Sequence, residues 1–235
     1  IGYKNIYGID LNNDRREAIE TKYNITCYLT FEKALEKHEI EFMIISVPPH
    51  VHDLFIKKAI KNSRGDRYLS KNPPNTGRIN TLLAMFPDAK FIFIHRNPIE
   101  VFLSTQNFYR KMLPPLQLQG INTDQIDTNI VAIYKKIMGD YLQDKEKIPA
   151  NNLVEISYKE LEKSPQTVLQ NIYTHLELDN FEQAFPSFER YIEKMKSYHK
   201  NKHCIGKDQL ETILKEWRFF MDIYSYEMPK NVIVE

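Results

Sequence analysis

Phe91-Ile92-Phe93-Ile94-His95-Arg96-Asn97-Pro98, with Ser104 eight positions after the arginine, is the stretch that decides the fold. Its first residues form a short apolar run of the kind that fills a buried parallel strand, and Pro98, whose ring presets a helical φ, suits the first turn of a helix. The strand delivers Arg96 to its carboxyl end, and Ser104 lies about two helical turns further on. A guanidinium can grip a phosphate through two parallel hydrogen bonds while a hydroxyl donates to another oxygen, beside a helix start that already favours anions. The spacing therefore predicts that Arg96 and Ser104 converge on one oxyanion. The bare pattern has a second reading, an ordinary strand–helix corner whose arginine pairs with a surface carboxylate.

Outward from this corner, strand and helix alternate. Downstream, Thr123 to Lys145 is a long amphipathic helix after a loop from Leu113 to Asn122, and Asn152 to Ser157 is another strand. The remainder reads as helical, with breaks near Ser164-Pro165, Asp179-Asn180 and Asn201 to Gly206. Upstream, Arg67 to Ser70 reads as strand and Thr76 to Phe86 as helix. Further back stand a strand from Asn5 to Asp10, a helix from Asn12 to Tyr23 capped by Asn12 or Asn13, a strand from Ile25 to Leu29, and a helix to Lys37 capped by Thr30. Glu41 to Val47 is a continuous apolar strand stopped by Pro48-Pro49, and His50 to Lys61 is amphipathic. The polar, Gly-containing stretch Asn62 to Asp66 marks an internal boundary. The class is α/β, a parallel sheet covered by helices on both faces, with its ligand site at the carboxyl ends of the strands. The strand at Phe42 to Val47 is expected to join the sheet of Phe91 to His95 and Leu153 to Ile156, because continuous apolarity demands cover on both faces.

Composition narrows the function classes. With 32 Lys+Arg against 31 Asp+Glu and no block of like charge, neither a nucleic-acid stripe nor an acidic tail is indicated, so a small-molecule ligand is expected. Cys27 and Cys204 are the only thiols and stand far apart, which fits a reducing compartment and a structural role for each. No apolar run approaches the roughly 18 residues of a membrane span, and a cytoplasmic location is expected. His50 and His52, at i and i+2, would not share a helix face, so no metal site is read from them. Ile1 leads almost directly into a strand, and the chain is expected to start within a domain whose beginning lies upstream.

Tyr68-Leu69-Ser70-Lys71-Asn72-Pro73-Pro74-Asn75-Thr76-Gly77-Arg78-Ile79, then Phe86-Pro87-Asp88-Ala89-Lys90 leading into the corner and Ser104, resembles the sulfotransferase family. The bacterial branch that uses 3′-phosphoadenosine 5′-phosphosulfate (PAPS) is the nearest in pattern. Leu153-Val154-Glu155-Ile156-Ser157-Tyr158-Lys159-Glu160-Leu161 with Pro165, then Leu176-Glu177-Leu178, then Tyr198-His199-Lys200-Asn201-Lys202 before Trp217, agree in order and spacing. The likeness covers residues 67–226, leaving 227–235 as a tail. It implies a P-loop-like core with a helical C-terminal part, PAPS as donor and a small hydroxyl-bearing acceptor. It also implies that Arg96 and Ser104 hold the 3′-phosphate, that Tyr158 stands near the adenine or its phosphate, that Lys202 lies on a late cofactor loop, and that Lys71 contacts cofactor or acceptor. Phe108, Tyr109 and Tyr134 are candidates to line an acceptor pocket, although core packing is the commoner role for such residues.

The pattern departs from the family in one respect. Its members carry a strand and a Gly-rich turn with a basic residue, whose amides cradle the 5′-phosphosulfate and whose cation stabilises the leaving phosphate. No such turn is recognisable among these residues, nor is the acceptor-side general base, so no catalytic residue is assigned and transfer is expected to be slow or absent. Ile6-Tyr7-Gly8-Ile9-Asp10, Lys22-Tyr23-Asn24-Ile25, Phe31-Glu32-Lys33-Ala34-Leu35 and Ile44-Ile45-Ser46-Val47-Pro48-Pro49-His50-Val51-His52 resemble instead the glucose–fructose oxidoreductase and inositol dehydrogenase family (Gfo/Idh/MocA). That likeness implies a partial Rossmann-like fragment over residues 1–62, with Asp10 as the residue that would read a nicotinamide ribose. Two alternatives to a sulfotransferase follow: a catalytically silent α/β fusion of two nucleotide-binding fragments, and an NAD(P)-dependent oxidoreductase.

Overall fold

A computed structural model of the chain describes residues 6–38, 69–116, 120, 122–195 and 203–235. The strand expected at Phe42 to Val47, the helix after it, the boundary at Asn62 to Asp66 and Lys202 lie outside these. The chain divides into two units, Ile1–Ser70 and Lys71–Glu235.

In the first unit, β1 (Tyr7–Ile9), α1 (Asn13–Tyr23), β2 (Thr26–Tyr28) and α2 (Phe31–Leu35) follow one another, and β1 pairs parallel with β2. Local chemistry sets each boundary. Asn12 Oδ1 accepts from Arg15 N at 3.0 Å to start α1, and Asn24, at φ 51°, ends it in the left-handed conformation that asparagine tolerates. Thr30 caps α2 as its position predicts. Gly8 lies opposite Cys27 across the ladder, and a Cβ at Gly8 would stand 2.5 Å from Cys27 Sγ, so a side chain there would displace the thiol. Asp10 is occupied locally: Oδ1 accepts from Asn12 N at 2.8 Å and Oδ2 faces Arg15 at 3.8 Å.

In the second unit, a 3-10 turn (Pro73–Gly77) precedes α3 (Ile79–Met85), β3 (Phe91–His95), α4 (Pro98–Leu116), α5 (Thr123–Asp144), β4 (Leu153–Ser157), α6 (Tyr158–Lys163), α7 (Pro165–His175), α8 (Phe181–Met195), β5 (His203–Ile205), α9 (Lys207–Ile223) and β6 (Val232–Val234). β3 pairs parallel with β4, and β5 with β6. Every described strand pair is therefore parallel, as the alternation of elements predicts. Along β3, Phe93 is buried while Ile92 and Ile94 are 40% and 48% exposed, so the apolar run is sided. Leu69 and Ser70, expected in a strand, have irregular backbone.

Two further boundaries differ from expectation. α4 runs through Pro114-Pro115 to Leu116 rather than stopping at Met112. Proline's φ is itself helical, so the pair can continue the helical backbone although it removes two ladder bonds. Residues 227–235, expected as a tail, include β6, whose Glu235 N donates to Ile205 O at 2.9 Å.

The core is built by helical spacing. Ile99, Phe102 and Leu103 of α4 meet Ile126 and Ile130 of α5 and Ile213, Trp217 and Met221 of α9, closed by Ile205 and Val232. A neighbouring cluster of Ile79, Phe93, Tyr141, Ile148 and Phe220 seats β3. Tyr134 packs on Trp217 with ring centroids 4.2 Å apart, which makes it a core residue rather than an acceptor contact. Among the described residues, no helix is long and apolar enough to cross a membrane.

Candidate active site at the ends of β3 and β4

The register of the two central strands creates the site. His95 and Ser157 are Cα partners at the carboxyl ends of β3 and β4, so the next residues, Arg96 and Tyr158, emerge side by side. The Arg96 guanidinium carbon lies 4.9 Å from the centroid of the Tyr158 ring, a cation–π contact. Both strands turn at once into capped helices. Asn97 is 8% exposed, its Oδ1 accepting from Ile99 N at 3.0 Å to begin α4. Ser157 and Glu160 form a capping box at the start of α6.

Arg96 Nε donates to Glu100 Oε2 at 3.2 Å, one helical turn along α4. The arginine thus makes the carboxylate pair that its bare motif allows, with a partner in the first turn of the helix that follows it. Glu100 Oε1 accepts in turn from Asn231 Nδ2 at 3.1 Å. Among the described residues, the two terminal nitrogens of Arg96 carry no hydrogen bond, so the end-on edge of the fork is available to an oxyanion. Ser104 lies one turn beyond Glu100 and is exposed; the structure sets it on the same helical row as Glu100 without joining it to Arg96. Phe108 continues the row and packs edge-on to Tyr109; the two are 55% and 37% exposed. Lys71 is exposed just before the 3-10 turn, and no contact brings it to Arg96.

Beneath the corner lies a polar cluster. His95 Nδ1 and Tyr226 Oη are hydrogen-bonded at 2.7 Å. Glu155, opposite Phe93 in the ladder, accepts from Tyr141 Oη at 2.6 Å, from Tyr224 Oη and from Lys145 Nζ at 3.2 Å. Burial lowers the His95 pKa, with Glu155 and Glu160 opposing. For Glu155 burial acts upward, but the three donors together outweigh it and hold the carboxyl below its ordinary value. Burial, then the Glu100 and Glu160 carboxylates, push Tyr226 up to about 12.

A pH dependence follows from these signs. The folded His95 takes its proton below the ordinary value of 6.5, so the unfolded chain protonates first and stability falls as pH drops below 6.5. Glu155 contributes stability that is present above 4.5 and is lost as pH falls through its lower folded value. Thermal melting across both ranges is expected to show two steps of destabilisation on acidification. His95→Asn should flatten the first and leave the second, and an unchanged slope in that variant would remove His95 from the account.

Sequence reasoning alone did not single out Glu100, Asn231 and Tyr226. Glu100 could have been found, because it stands four residues from Arg96 at the start of a helix. Asn231 carries no local signal.

The sequence profile of the sulfotransferase family matches residues 8–183. The chain belongs to this family. The matched range takes in the first unit from β1 onward as well as the β3–α4 corner, and it ends before β5, α9 and β6. Two relatives, from Mycobacterium bovis and Mycobacterium tuberculosis, are each named omega-hydroxy-beta-dihydromenaquinone-9 sulfotransferase Stf3; each is 29% identical over 157 residues, covering 67% of this chain and 40% of the relative. The chain thus spans about two fifths of the length of the curated relatives it matches. In fold it is similar to the crystal structure of sulfotransferase STF9 from Mycobacterium avium, with a TM-score of 0.60 at 19% identity over 74% of this chain and 45% of that one.

Proposed function

We propose that this sulfotransferase binds PAPS through its 3′-phosphate at the β3–α4 corner, with Arg96 as the principal contact. The observation that carries the reading is a guanidinium held by Glu100 and by the Tyr158 ring, with an end-on edge that carries no hydrogen bond among the described residues, at the ends of two parallel strands. Such a fork fits a phosphate bidentately, and the Tyr158 ring offers a flat surface beside it. Ser104 supplies a hydroxyl to another phosphate oxygen, Lys202 the late cofactor loop, and Lys71 a contact to donor or acceptor. When bound, PAPS supplies the sulfuryl group that passes to a hydroxyl oxygen. The chain's own residues bind and orient the 3′-phosphate end, while the machinery for the 5′ end is not recognisable in these residues, so transfer by the 235-residue chain is expected to be slow or undetectable.

The acceptor we infer is a small hydroxyl-bearing molecule in a cytoplasmic setting, with the exposed pair Phe108 and Tyr109 beside the Ser104 row as candidate contacts. The organisation we infer with this reading is a sulfotransferase-like domain over 67–226 after a Rossmann-like fragment over 1–62; the division into units near residue 70 supports a boundary there, while the family match from residue 8 brings the first unit within the family's range. The test compares two ligands by calorimetry. Adenosine 3′,5′-bisphosphate is expected to bind measurably and adenosine 5′-phosphate at least about tenfold more weakly, since a charge-assisted phosphate contact contributes roughly 1.5–3 kcal/mol. Equal affinity for the two would sink the assignment.

A further inference from the structure

We propose that Asn231, beyond the family-matched region, positions Arg96 for the phosphate by fixing Glu100, an inference that rests on the reading of the corner as a 3′-phosphate site. The segment from Tyr224 to Asn231 crosses the corner and grips it at successive points. Tyr226 bonds His95, the last residue of β3; Glu227 O accepts from Asn97 Nδ2 at 2.7 Å, holding the α4 cap; Asn231 bonds Glu100 one turn into α4. Both ends of this segment are themselves tied down. Tyr226 N donates to Met221 O at 2.8 Å after Ser225 reverses the chain at φ 52°, and β6 starts immediately after Asn231 by pairing with β5.

Glu100 needs such a brace. A glutamate side chain on a helix surface has several rotamers, and ordering it costs conformational entropy. Here each carboxylate oxygen has its own partner, Oε2 on Arg96 Nε and Oε1 on Asn231 Nδ2, and the Glu100 side chain is only 15% exposed. With Glu100 fixed, Nε of Arg96 is engaged and the guanidinium carbon stays over the Tyr158 ring. The terminal nitrogens then point their paired donors at a defined place before any anion arrives, and preorganisation of this kind raises affinity by removing an ordering cost from the binding step. Asn231 and Glu100 are positioning residues, because neither is asked to touch the ligand.

The test measures the affinity ratio between adenosine 3′,5′-bisphosphate and adenosine 5′-phosphate on the full chain, together with melting temperature. Asn231→Ala is expected to lower that ratio by roughly three- to tenfold, the range in which contacting residues couple, and to add nothing in an Arg96→Ala background. A merely structural role would weaken both nucleotides alike, or would add to Arg96→Ala, and either result overturns the inference. Glu100→Gln keeps the side-chain shape but removes the negative charge facing Arg96 and leaves one acceptor oxygen for two donors, Arg96 Nε and Asn231 Nδ2; it is expected to lower the ratio too. A raised ratio in Glu100→Gln would mean that the carboxylate competes with the phosphate, and an unchanged one that it does not orient Arg96; both overturn the proposal even if Asn231→Ala fails to fold. Should Arg96→Ala itself leave the ratio unaltered, the phosphate site falls and this inference with it. An effect of Arg96→Ala without one from Asn231 or Glu100 removes the positioning role alone.

Discussion

Arg96→Ala is expected to lower affinity for adenosine 3′,5′-bisphosphate by about ten- to a hundredfold while leaving adenosine 5′-phosphate almost unaffected. The magnitude follows from losing one or more charge-assisted hydrogen bonds to a phosphate. The selectivity follows from geometry, since Arg96 stands at the end of β3 with an edge that, among the described residues, carries no hydrogen bond, and its guanidinium lies over the Tyr158 ring. Arg96→Lys should fall between wild type and alanine, because an ammonium keeps the charge but can neither fork onto two oxygens nor reproduce the Nε bond to Glu100. Melting temperature should change little, as the Arg96–Glu100 pair is partly exposed and such surface pairs contribute about 0.2–1 kcal/mol. Equal losses for both nucleotides would show that Arg96 supports the corner rather than the phosphate, and no loss at all would remove it from the site.

The corner was legible because its determinants are local. An apolar strand, a capping asparagine and a proline at the first helical position lie within eight consecutive residues, and Phe91–His95 and the start of α4 fall where those residues place them. The same holds for the caps at Asn12 and Thr30, each of which bonds a backbone N–H three residues on. What the sequence left unread depends on distant partners. β5 and β6 are three residues each, too short for periodicity to mark, and exist because His203 and Val232 meet. The state of Arg96 was open for the same reason: a carboxylate pair and a phosphate site read as alternatives, yet Glu100 engages only one edge of the guanidinium. Which edge it takes depends on Asn231, 131 positions from Glu100.

Trp217→Ala is expected to cost about 3–5 kcal/mol of stability, a large share of the roughly 5–15 kcal/mol that holds a domain folded. Trp217 is fully buried where α4, α5 and α9 meet, with Phe102 edge-on at 6.0 Å between centroids and Tyr134 at 4.2 Å. Truncation opens a cavity among side chains from three helices, and it also strips Val131 O of the Nε1–H donor now 3.1 Å away. Trp217→Phe should cost less, since it keeps most of the ring volume and loses chiefly that hydrogen bond. Because the chain has a single tryptophan, urea unfolding is best followed by circular dichroism. A loss in Trp217→Ala no larger than the ~1 kcal/mol of an average substitution would show that this core does not organise the second unit. The same variant links stability to the site, since the segment that grips the β3–α4 corner leaves directly from the end of α9. Under conditions where Trp217→Ala is still folded, loosening of α9 should reach Asn231 and lower the preference for the 3′-phosphate, whereas an equally destabilising change in the first unit should leave that preference intact.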